Sequence, residues 1–417
     1  MIEIEAFRGV RYNDELKDRM EKLITLPYDK INENKKEEYI KKDPYNFVRI
    51  ILNEHDEAKK TLTEWMKKDI LIREEKPSFY FYIQEFFHPY TQKSLKRKGI
   101  ITLLKIEDFG KNIFPHEKIL DKPKIDRLNL IRKTQANLGQ IFMLYKDKEN
   151  IIIPQIEHFL REVKPIYDFL DETNHHNLLW RIDDEDLIKM IKELFKEKKL
   201  FIADGHHRYE VSNIYRKEMK DKLNTFSFPE TPEYVMVTLV NAYNNGIVIL
   251  PTHRAVKIKN NVKKVLKKWE SYFQIEEIYG EKKLRELMSN EKKNHVIGLY
   301  MDNRYMLMKP YMDKIKEFFD LSKSKRWNLL DVNILHRSII DNLEVEDIKF
   351  FREWHEGIEI ANQDIENSMC FFLNPTEISD VLDIAKNLEK MPQKSTDFYP
   401  KLPSGLILNK MRLKEQE

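Results

Sequence analysis

The chain has 417 residues, of which 41% are hydrophobic and 11% aromatic, enough apolar material for roughly two or three packed domains. Its 73 lysines and arginines nearly balance 70 aspartates and glutamates, which leaves a formal net charge of only +3. This composition excludes a disordered chain and disfavours a protein that coats nucleic acid through its overall charge.

The single cysteine and the hydropathy pattern predict a soluble protein of a reducing compartment. Cys370 has apolar neighbours in "MCFFL", so we expect a buried structural thiol; one cysteine also excludes an internal disulfide and a multi-cysteine metal site. No stretch approaches the roughly 20 apolar residues of a membrane span, and the N-terminal "MIEIEAFRGVRYNDEL" lacks a signal peptide's hydrophobic core. We therefore predict a cytoplasmic location and no membrane partner.

The predicted elements of the first half alternate between strands and helices. The N-terminal segment starts as a short strand, and a helical spacing follows with Asn13 or Asp14 as its cap. The lysine-rich "KSLKRKG" is interpreted as a solvated turn. Aromatic, branched and periodic apolar residues predict strands over 78–87, 99–110 and 140–145, and helices over 122–133 and about 183–199.

In the second half, two strands over 234–243 and 246–256 are compatible with a hairpin around "NNG". Further helices and a strand pair follow from about residue 257. Alternating strands and helices predict an α/β fold, with α+β as the open alternative. We place the domain boundary after residue 252, which gives a domain over 1–252 and a smaller C-terminal α/β domain over 253–417.

The glycines exclude the common nucleotide-binding loops. The chain has only 10 glycines, and no two of them are separated by a single residue. A Walker A loop and a dinucleotide fingerprint both need clustered glycines near the phosphates, so neither is present. The motifs GxSxG and HExxH are also missing from the sequence. Any nucleotide site must therefore be built in another way.

The segment "FIADGHHRYE" is the main candidate for such a site. "KKLFIAD" is typical of a buried strand that ends at Asp204, and a helix is predicted to begin near His207. Gly205 between them allows a sharp turn or a close approach to a ligand. The first turn of a helix favours phosphate, and His206, His207 and Arg208 add donors and charge. Asp204 is then a candidate Mg²⁺ ligand, or in the simpler interpretation only the cap of the helix.

Two further segments carry candidate residues. In the loop "FPHEKILDKPKIDR", His116 and Glu117 form a candidate general base. Arg127 on the next helix is a candidate anion ligand. The same sequence is equally compatible with an ordinary exposed loop. Near the C-terminus, "MPQKSTDFYPKLPSGL" contains lysines at 394 and 401 with Ser395 and Thr396 between them. This segment either closes over an anionic ligand, with Lys394, Ser395 and Thr396 as its contacts, or forms an extended strap over the core. His253 and Arg254 are a weaker third candidate.

Taken together, these segments resemble the domain-of-unknown-function 1015 family. The resemblance runs from "AFRGVRYN" to the terminal "SGL" and includes "GIITLLKIEDFG", "LFIADGHHRYE" and "ILPTHRAV". Three positions differ from the usual pattern, namely Ile119, Val211 and Ser212. The DGHHR motif is also similar to that of free-serine kinases of the ParB/sulfiredoxin-like superfamily.

This second resemblance implies a ParB/sulfiredoxin-like core of mixed sheet and helices, here with an insertion over about 146–198. It implies that Glu117, beside His116, is the base toward a serine hydroxyl. It further implies that Gly205, His206, His207 and Arg208 bind phosphate and that Asp204 binds metal.

The function that follows is a small-molecule kinase that converts free L-serine, or a similar hydroxylated metabolite, to its phosphate ester with ATP or ADP and Mg²⁺. One alternative is a ParB-like nucleotide-binding switch without phosphotransfer. The other is a protein in which these motifs only stabilise the fold. The near-neutral charge disfavours a nucleic-acid partner, and a homodimer is one assembly open to the protein.

Overall fold

The computed structural model describes residues 1–117, 121–220 and 228–413. The chain forms two compact units. Unit 1 consists of Met1–Pro115, Ile119–Val248 and Pro400–Glu417, and unit 2 of His116–Lys118 and Ile249–Tyr399. This division differs from the predicted boundary after residue 252, because the last residues of the chain belong to the first unit.

The strands and α-helices are numbered in chain order. The strands are β1 (Ile4–Glu5), β2 (Val10–Tyr12), β3 (Leu71–Arg73), β4 (Phe79–Phe87), β5 (Ser94–Lys105), β6 (Ile113–Phe114), β7 (Ala136–Asn137), β8 (Ile141–Tyr145), β9 (Tyr167–Leu170), β10 (His176–Ile182), β11 (Leu200–Asp204), β12 (Tyr234–Asn241), β13 (Val248–Leu250), β14 (His253–Ile258), β15 (Phe273–Ile278), β16 (Ile297–Met301), β17 (Arg304–Pro310), β18 (Val345–Phe351), β19 (Ser368–Phe372), β20 (Asp397–Tyr399) and β21 (Asn409–Lys410). The helices are α1 (Met20–Leu23), α2 (Glu33–Lys42), α3 (Val48–Ile51), α4 (His55–Lys67), α5 (Asp121–Thr134), α6 (Ile152–Phe159), α7 (Glu185–Phe195), α8 (His206–Met219), α9 (Lys263–Trp269), α10 (Glu281–Asn290), α11 (Met312–Ile315), α12 (Lys325–Asn328), α13 (Asp331–Ser338), α14 (Trp354–Gln363) and α15 (Ile378–Lys386).

Unit 1 is built on a mixed sheet in the order β6-β11-β8-β12-β5-β4-β10-β9, with β1 beside β5. The pairs β6–β11 and β8–β12 are parallel, and the other pairs of this sheet are antiparallel. Its central strands are apolar along nearly their whole length, as expected for a sheet buried on both faces. The α/β fold class predicted from the sequence is confirmed.

The strand β11 and the helix α8 place the DGHHR segment at one end of this sheet. β11 lies between β6 and β8, and its register against β8 shifts between Ile202 and Asp204. Such an irregularity re-aims the side chains that follow it. Apolar residues of α5 and α8 pack together through Leu128, Ile131, Val211 and Tyr215. The sheet and α5 therefore fix both ends of the junction at Gly205.

Two local predictions are wrong. The segment "KSLKRKG" is the start of β5 and not a solvated turn, and its Arg97 is only 2% exposed. The hairpin of β12 with β13 is also not formed, because β12 pairs with β5 on one side and with β8 on the other. Both edges of β12 are therefore occupied, and β13 pairs instead with β20.

Unit 2 contains a second sheet, with the order β15-β17-β16-β19-β14-β18 and antiparallel pairs throughout. The strand pair predicted in the region after about residue 257 is present as β16 and β17. Cys370 on β19 is fully buried, and burial raises the pKa of its thiol to about 12. The interpretation as a structural thiol is confirmed. Within the described ranges, no helix is long and apolar enough to cross a membrane.

The C-terminal segment is part of the core of unit 1. β21 pairs with β7 in antiparallel register, and Leu406, Ile407 and Leu408 just before it are at most 1% exposed. The backbone of Thr25 and Ser404 also forms a pair of hydrogen bonds of 3.0 and 2.8 Å. This burial explains why residues from Pro400 onward group with unit 1 although the preceding 151 residues, Ile249–Tyr399, do not.

We predict that Leu406→Ala lowers the free energy of unfolding by about 2–5 kcal/mol, because it leaves a cavity in a packed core. Leu321→Ala is the matched control, since Leu321 is 96% exposed whereas Leu406 is fully buried. Chemical denaturation of the two variants measures the difference. Equal, small losses of stability in both would contradict a core role for the C-terminal segment.

Candidate functional site

The helix α8 begins at a glycine. Its N-cap residue is Gly205, which has the left-handed angles φ 95° and ψ 27° and makes no side-chain cap hydrogen bond. The amide of Tyr209 closes the first helical turn on the carbonyl oxygen of Gly205 at 3.0 Å. The interpretation of Asp204 as the helix cap is therefore wrong. The start of this 14-residue helix carries the positive end of its helix dipole.

Two cations surround the carboxylate of Asp204. Lys401 Nζ lies 3.1 Å from Asp204 Oδ2, and Arg208 Nη2 lies 3.6 Å from Asp204 Oδ1. Burial by itself raises the pKa of Asp204, but Lys401 and Arg208 outweigh it and hold the pKa well below its ordinary range. Asp204 is therefore ionised at neutral pH.

The side chain of Arg208 folds back over the start of its own helix. A Cβ atom placed on Gly205 would lie 3.0 Å from Arg208 Nε and 3.1 Å from Arg208 Nη2. Arg208 Nη1 donates to the carbonyl oxygen of Gln140 in the loop before β8. Glycine is thus required at 205 both for its positive φ angle and for the room that the guanidinium occupies.

A cavity adjoins this helix start within unit 1. It encloses about 600 Å³ of empty space, part of it open to solvent, and Arg127, Arg208, Tyr28 and Ser212 contribute to its wall. The guanidinium carbon of Arg127 lies 4.5 Å from the centre of the Tyr28 ring. The rest of the wall is largely apolar. The structure thus brings Arg127 into the same cavity as Arg208.

Arg127 is also held by neighbours of its own. Its Nε donates to Asp126 Oδ2 at 2.7 Å, and its Nη1 donates to the carbonyl oxygen of Ile51 at 2.8 Å. These bonds fix the guanidinium against Tyr28. Arg127 therefore contributes a fixed, partly neutralised charge to the cavity, whereas the charge at the helix start comes from Arg208 and Lys401.

The sequence pattern did not indicate that Arg97 belongs to this site, and it left open whether Lys401 reaches it. Arg97 Nη2 donates to the carbonyl oxygen of Pro400 at 2.6 Å and also to Gln84 Oε1. Burial lowers the pKa of Arg97 to about 10, although the charge of Asp204 opposes this. Arg97 thus fixes the backbone directly before Lys401. Its only sequence signal was a lysine-rich run, which is usually exposed.

The other candidate residues lie together in unit 2. His116 shares a hydrogen bond of 2.9 Å between its Nε2 and Thr396 Oγ1. The amide of Lys394 donates to Glu117 Oε1 at 3.0 Å. The amide of Met391 also donates to the carbonyl oxygen of His116 at 2.7 Å. The structure therefore brings the His-Glu pair against the Lys-Ser-Thr segment, although more than 270 residues separate them in the chain.

The Lys-Ser-Thr segment, Lys394 to Thr396, has a strained and well-supported backbone. Lys394 has a positive φ of 56°, which non-glycine residues adopt rarely. Its carbonyl oxygen accepts from Arg254 Nη2 at 3.2 Å, and that of Ser395 accepts from Thr376 Oγ1 at 2.9 Å. Strain that is supported in this way is common at ligand sites.

The third candidate pair, His253 and Arg254, is buried inside unit 2. His253 is 1% exposed and its Nδ1 accepts from the amide of Leu373 at 3.1 Å. Burial, and secondly the charge of Arg254, lower the pKa of His253 to about 3, so it is neutral at physiological pH. Arg254 is equally buried, and burial lowers its pKa to about 10. Of the two, Arg254 supports the 394–396 backbone, through its hydrogen bond to the carbonyl oxygen of Lys394.

We predict that Lys401→Met lowers the free energy of unfolding at pH 7 by about 1–3 kcal/mol, because it leaves Asp204 with one cation fewer. The folded-state pKa of Asp204 is depressed, so the pair stabilises the fold above the unfolded-state value near about pH 4. That contribution is lost as the pH falls through the folded-state pKa. Unfolding curves at pH 7 and pH 3 should therefore show a smaller difference from wild type at pH 3.

Lys148→Met, at an exposed lysine of the same unit, serves as the control for this prediction and should change stability little at either pH. A deficit of Lys401→Met that is the same at pH 7 and at pH 3 would show that Lys401 acts through packing and not through the charge of Asp204.

Solved structures show distant similarity. A conserved hypothetical protein from Pyrococcus furiosus matches at 11% identity with a TM-score of 0.33, covering 72% of this chain and 95% of that chain. A free serine kinase mutant in complex with ADP matches at 9% identity with a TM-score of 0.35, covering 72% and 94%. SbnI with a C-terminal truncation, from Staphylococcus aureus, matches at 8% identity with a TM-score of 0.38, covering 76% and 90%.

Sequence similarity to a known protein family covers most of the chain. No curated protein matches the chain. The family described as "Protein of unknown function (DUF1015)" matches residues 4–333, which is most of the chain. The protein therefore belongs to the DUF1015 family.

Proposed function

We propose that the start of α8 binds the phosphates of ATP or ADP and that the protein is a small-molecule kinase. One observation carries this proposal: an ionised Asp204, held by Lys401 and Arg208, lies at a helix start whose N-cap residue is a glycine. Phosphoryl transfer needs charge neutralisation and alignment more than covalent chemistry, and this arrangement supplies both.

The phosphates would be held by the backbone of α8 and by its first side chains. The amides of His206, His207 and Arg208 precede the first closed helical turn, and a phosphate oxygen accepts hydrogen bonds well at such a position. Arg208 can turn from Gln140 and Asp204 to grip phosphate with two parallel bonds. Lys401 would neutralise a second charge.

Asp204 fits the role of the protein ligand to a magnesium ion. Mg²⁺ is usually held by one or two carboxylates, by phosphate oxygens and by water, and not by a cage of protein groups. This agrees with the described part of the chain, in which no group of three or more His, Cys, Asp or Glu side chains could hold a metal. When bound, the ion would neutralise charge on the transferred phosphate. Asp204 is suited to this because it stays ionised.

The adjoining cavity suits the base and sugar of the nucleotide. Its wall combines apolar side chains such as Ile131 and Val211 with the ring of Tyr28 and the polar Ser212. An aromatic ring beside apolar groups gives a base a surface to pack on, and a few polar groups orient it. Arg208 is part of the cavity wall, so a nucleotide bound there could place its phosphates against this side chain.

The acceptor and the catalytic base rest on the resemblance to free-serine kinases. By that resemblance, Glu117 takes the proton of the serine hydroxyl while the oxygen attacks the terminal phosphorus, which yields O-phosphoserine and the shortened nucleotide. The hydrogen bond from the Lys394 amide to Glu117 supports this role, because it fixes the carboxylate. Lys394, Ser395 and Thr396 would contact the acceptor, and His116 would hold Thr396.

A ³¹P NMR time course of the protein with Mg²⁺, L-serine and either ATP or ADP tests the proposal. We expect a phosphomonoester signal that requires serine. Arg208→Gln should abolish nucleotide binding and the signal, while Arg161→Gln, at an exposed arginine of the same unit, should keep both. Glu117→Gln should bind nucleotide but lose about two orders of magnitude or more in turnover, and the exposed Glu276→Gln is its control.

The outcomes separate the alternatives. Nucleotide consumption without serine would indicate a hydrolase or a nucleotide-dependent switch. Full activity of Glu117→Gln would show that another group is the base. Failure of wild-type protein to bind either nucleotide would contradict the phosphate site itself.

A further inference from the structure

A second cleft, in unit 2, has a strongly basic wall. Its lining includes Lys293, His295, Lys309, Lys316 and Lys325, and over the residues that the structure describes it includes no carboxylate. The cleft encloses about 1030 Å³ of empty space, part of it open to solvent. It shares no residue with the site at α8 and does not depend on the function proposed for that site.

Two of these five cations have carboxylate partners outside the lining. Lys309 Nζ lies 2.8 Å from Glu291 Oε2, and His295 Nδ1 lies 2.9 Å from Asp331 Oδ1. The remaining three, Lys293, Lys316 and Lys325, form no ion pair with any described carboxylate. The wall of the cleft thus contains three lysines without a carboxylate at ion-pair distance among the described residues.

The three lysines come from separate parts of the chain. Lys293 lies in the 3-10 turn Lys292–Asn294, Lys316 begins another such turn just after α11, and Lys325 begins α12. A run of lysines on one helix is usually only a solvated face. Lysines from three elements that line one cleft are instead able to contact a single ligand from several sides.

His295 fixes the turn that carries Lys293. It has a positive φ of 56°, and Asp331 holds its ring by the bond to Nδ1. Asp331 also raises the pKa of His295, so the imidazole is protonated and held in this bond over a wider pH range.

The chemistry of the wall selects among anions. Lysine binds phosphate as a point charge, whereas planar carboxylates are best gripped by the two parallel donors of arginine, and the wall has no arginine among the described residues. Pro310, Met312, Phe319 and Leu329 add an apolar surface. We propose that this cleft binds a small organic phosphate that carries at least two negative charges and has an apolar or ring-shaped body.

Pyridoxal 5′-phosphate is a suitable probe, because it is itself such a compound and its aldehyde condenses with nearby lysine amines with loss of water. Reduction with borohydride fixes the product, and peptide mapping locates it. We expect labelling concentrated on Lys293, Lys316 and Lys325, protection by excess pyrophosphate, and little labelling of the exposed lysines 264, 267 and 268 on α9. Labelling spread evenly over the exposed lysines, without protection, would overturn the proposal.

Calorimetric titration with pyrophosphate gives an independent readout. The triple variant Lys293→Gln, Lys316→Gln, Lys325→Gln should bind about tenfold more weakly or not at all, because charge-assisted bonds are lost. The control replaces lysines 264, 267 and 268 by glutamine, with the same change in net charge, and should bind like wild type. Equal affinity of the two triple variants would contradict a specific cleft.

The variant Arg208→Gln separates this proposal from the nucleotide site. Labelling of the three cleft lysines should be unchanged in that variant even where nucleotide binding at α8 is lost. Loss of the cleft labelling in Arg208→Gln would show that the probe reports the α8 site, which would also overturn the proposal.

Discussion

The ion cluster of Asp204, Lys401 and Arg208 is the interaction on which the account of unit 1 depends. It joins the end of β11, the first turn of α8 and the C-terminal segment, and the last of these is far from the other two in sequence. A half-buried carboxylate is stable there only because two cations compensate it. The same charges that keep Asp204 ionised are those that a nucleotide with Mg²⁺ would need, so the stability of the junction and its proposed chemistry use the same groups.

A sharp turn of the backbone joins β11 to α8 beside this cluster. The register shift in β11 and the left-handed Gly205 turn the chain sharply, and the N-cap glycine has no side chain with which to cap α8. Most helices place serine, threonine, aspartate or asparagine at this position because an uncapped start costs stability. Here Arg208 covers the start of the helix, and its guanidinium is the group that a phosphate would engage.

Much of this junction could be predicted from the sequence, because it is local. The strand that ends at Asp204, the glycine turn and the helix after it are each specified by neighbouring residues. The contact between Lys401 and Asp204 could not be predicted, because the position of Lys401 depends on two long-range interactions. These are the pairing of β21 with β7 and the hydrogen bond from Arg97 to the carbonyl oxygen of Pro400. Arg97 lies in a lysine-rich run, which gave no sign that its side chain is buried. The residues between β12 and β13 are suitable for a hairpin turn, but both edges of β12 are already paired, with β5 and with β8. Long-range pairing decided each of these cases.

Amide hydrogen exchange of the wild-type protein, with and without Mg²⁺ and ADP, tests whether nucleotide phosphates bind at the start of α8. If the phosphates bind at the start of α8, nucleotide should slow exchange at the amides of residues 206–208 and in the cavity wall around Leu138 and Gly139. Nucleotide binding that leaves the exchange of these amides unchanged, or that protects only a distant segment, would contradict the account.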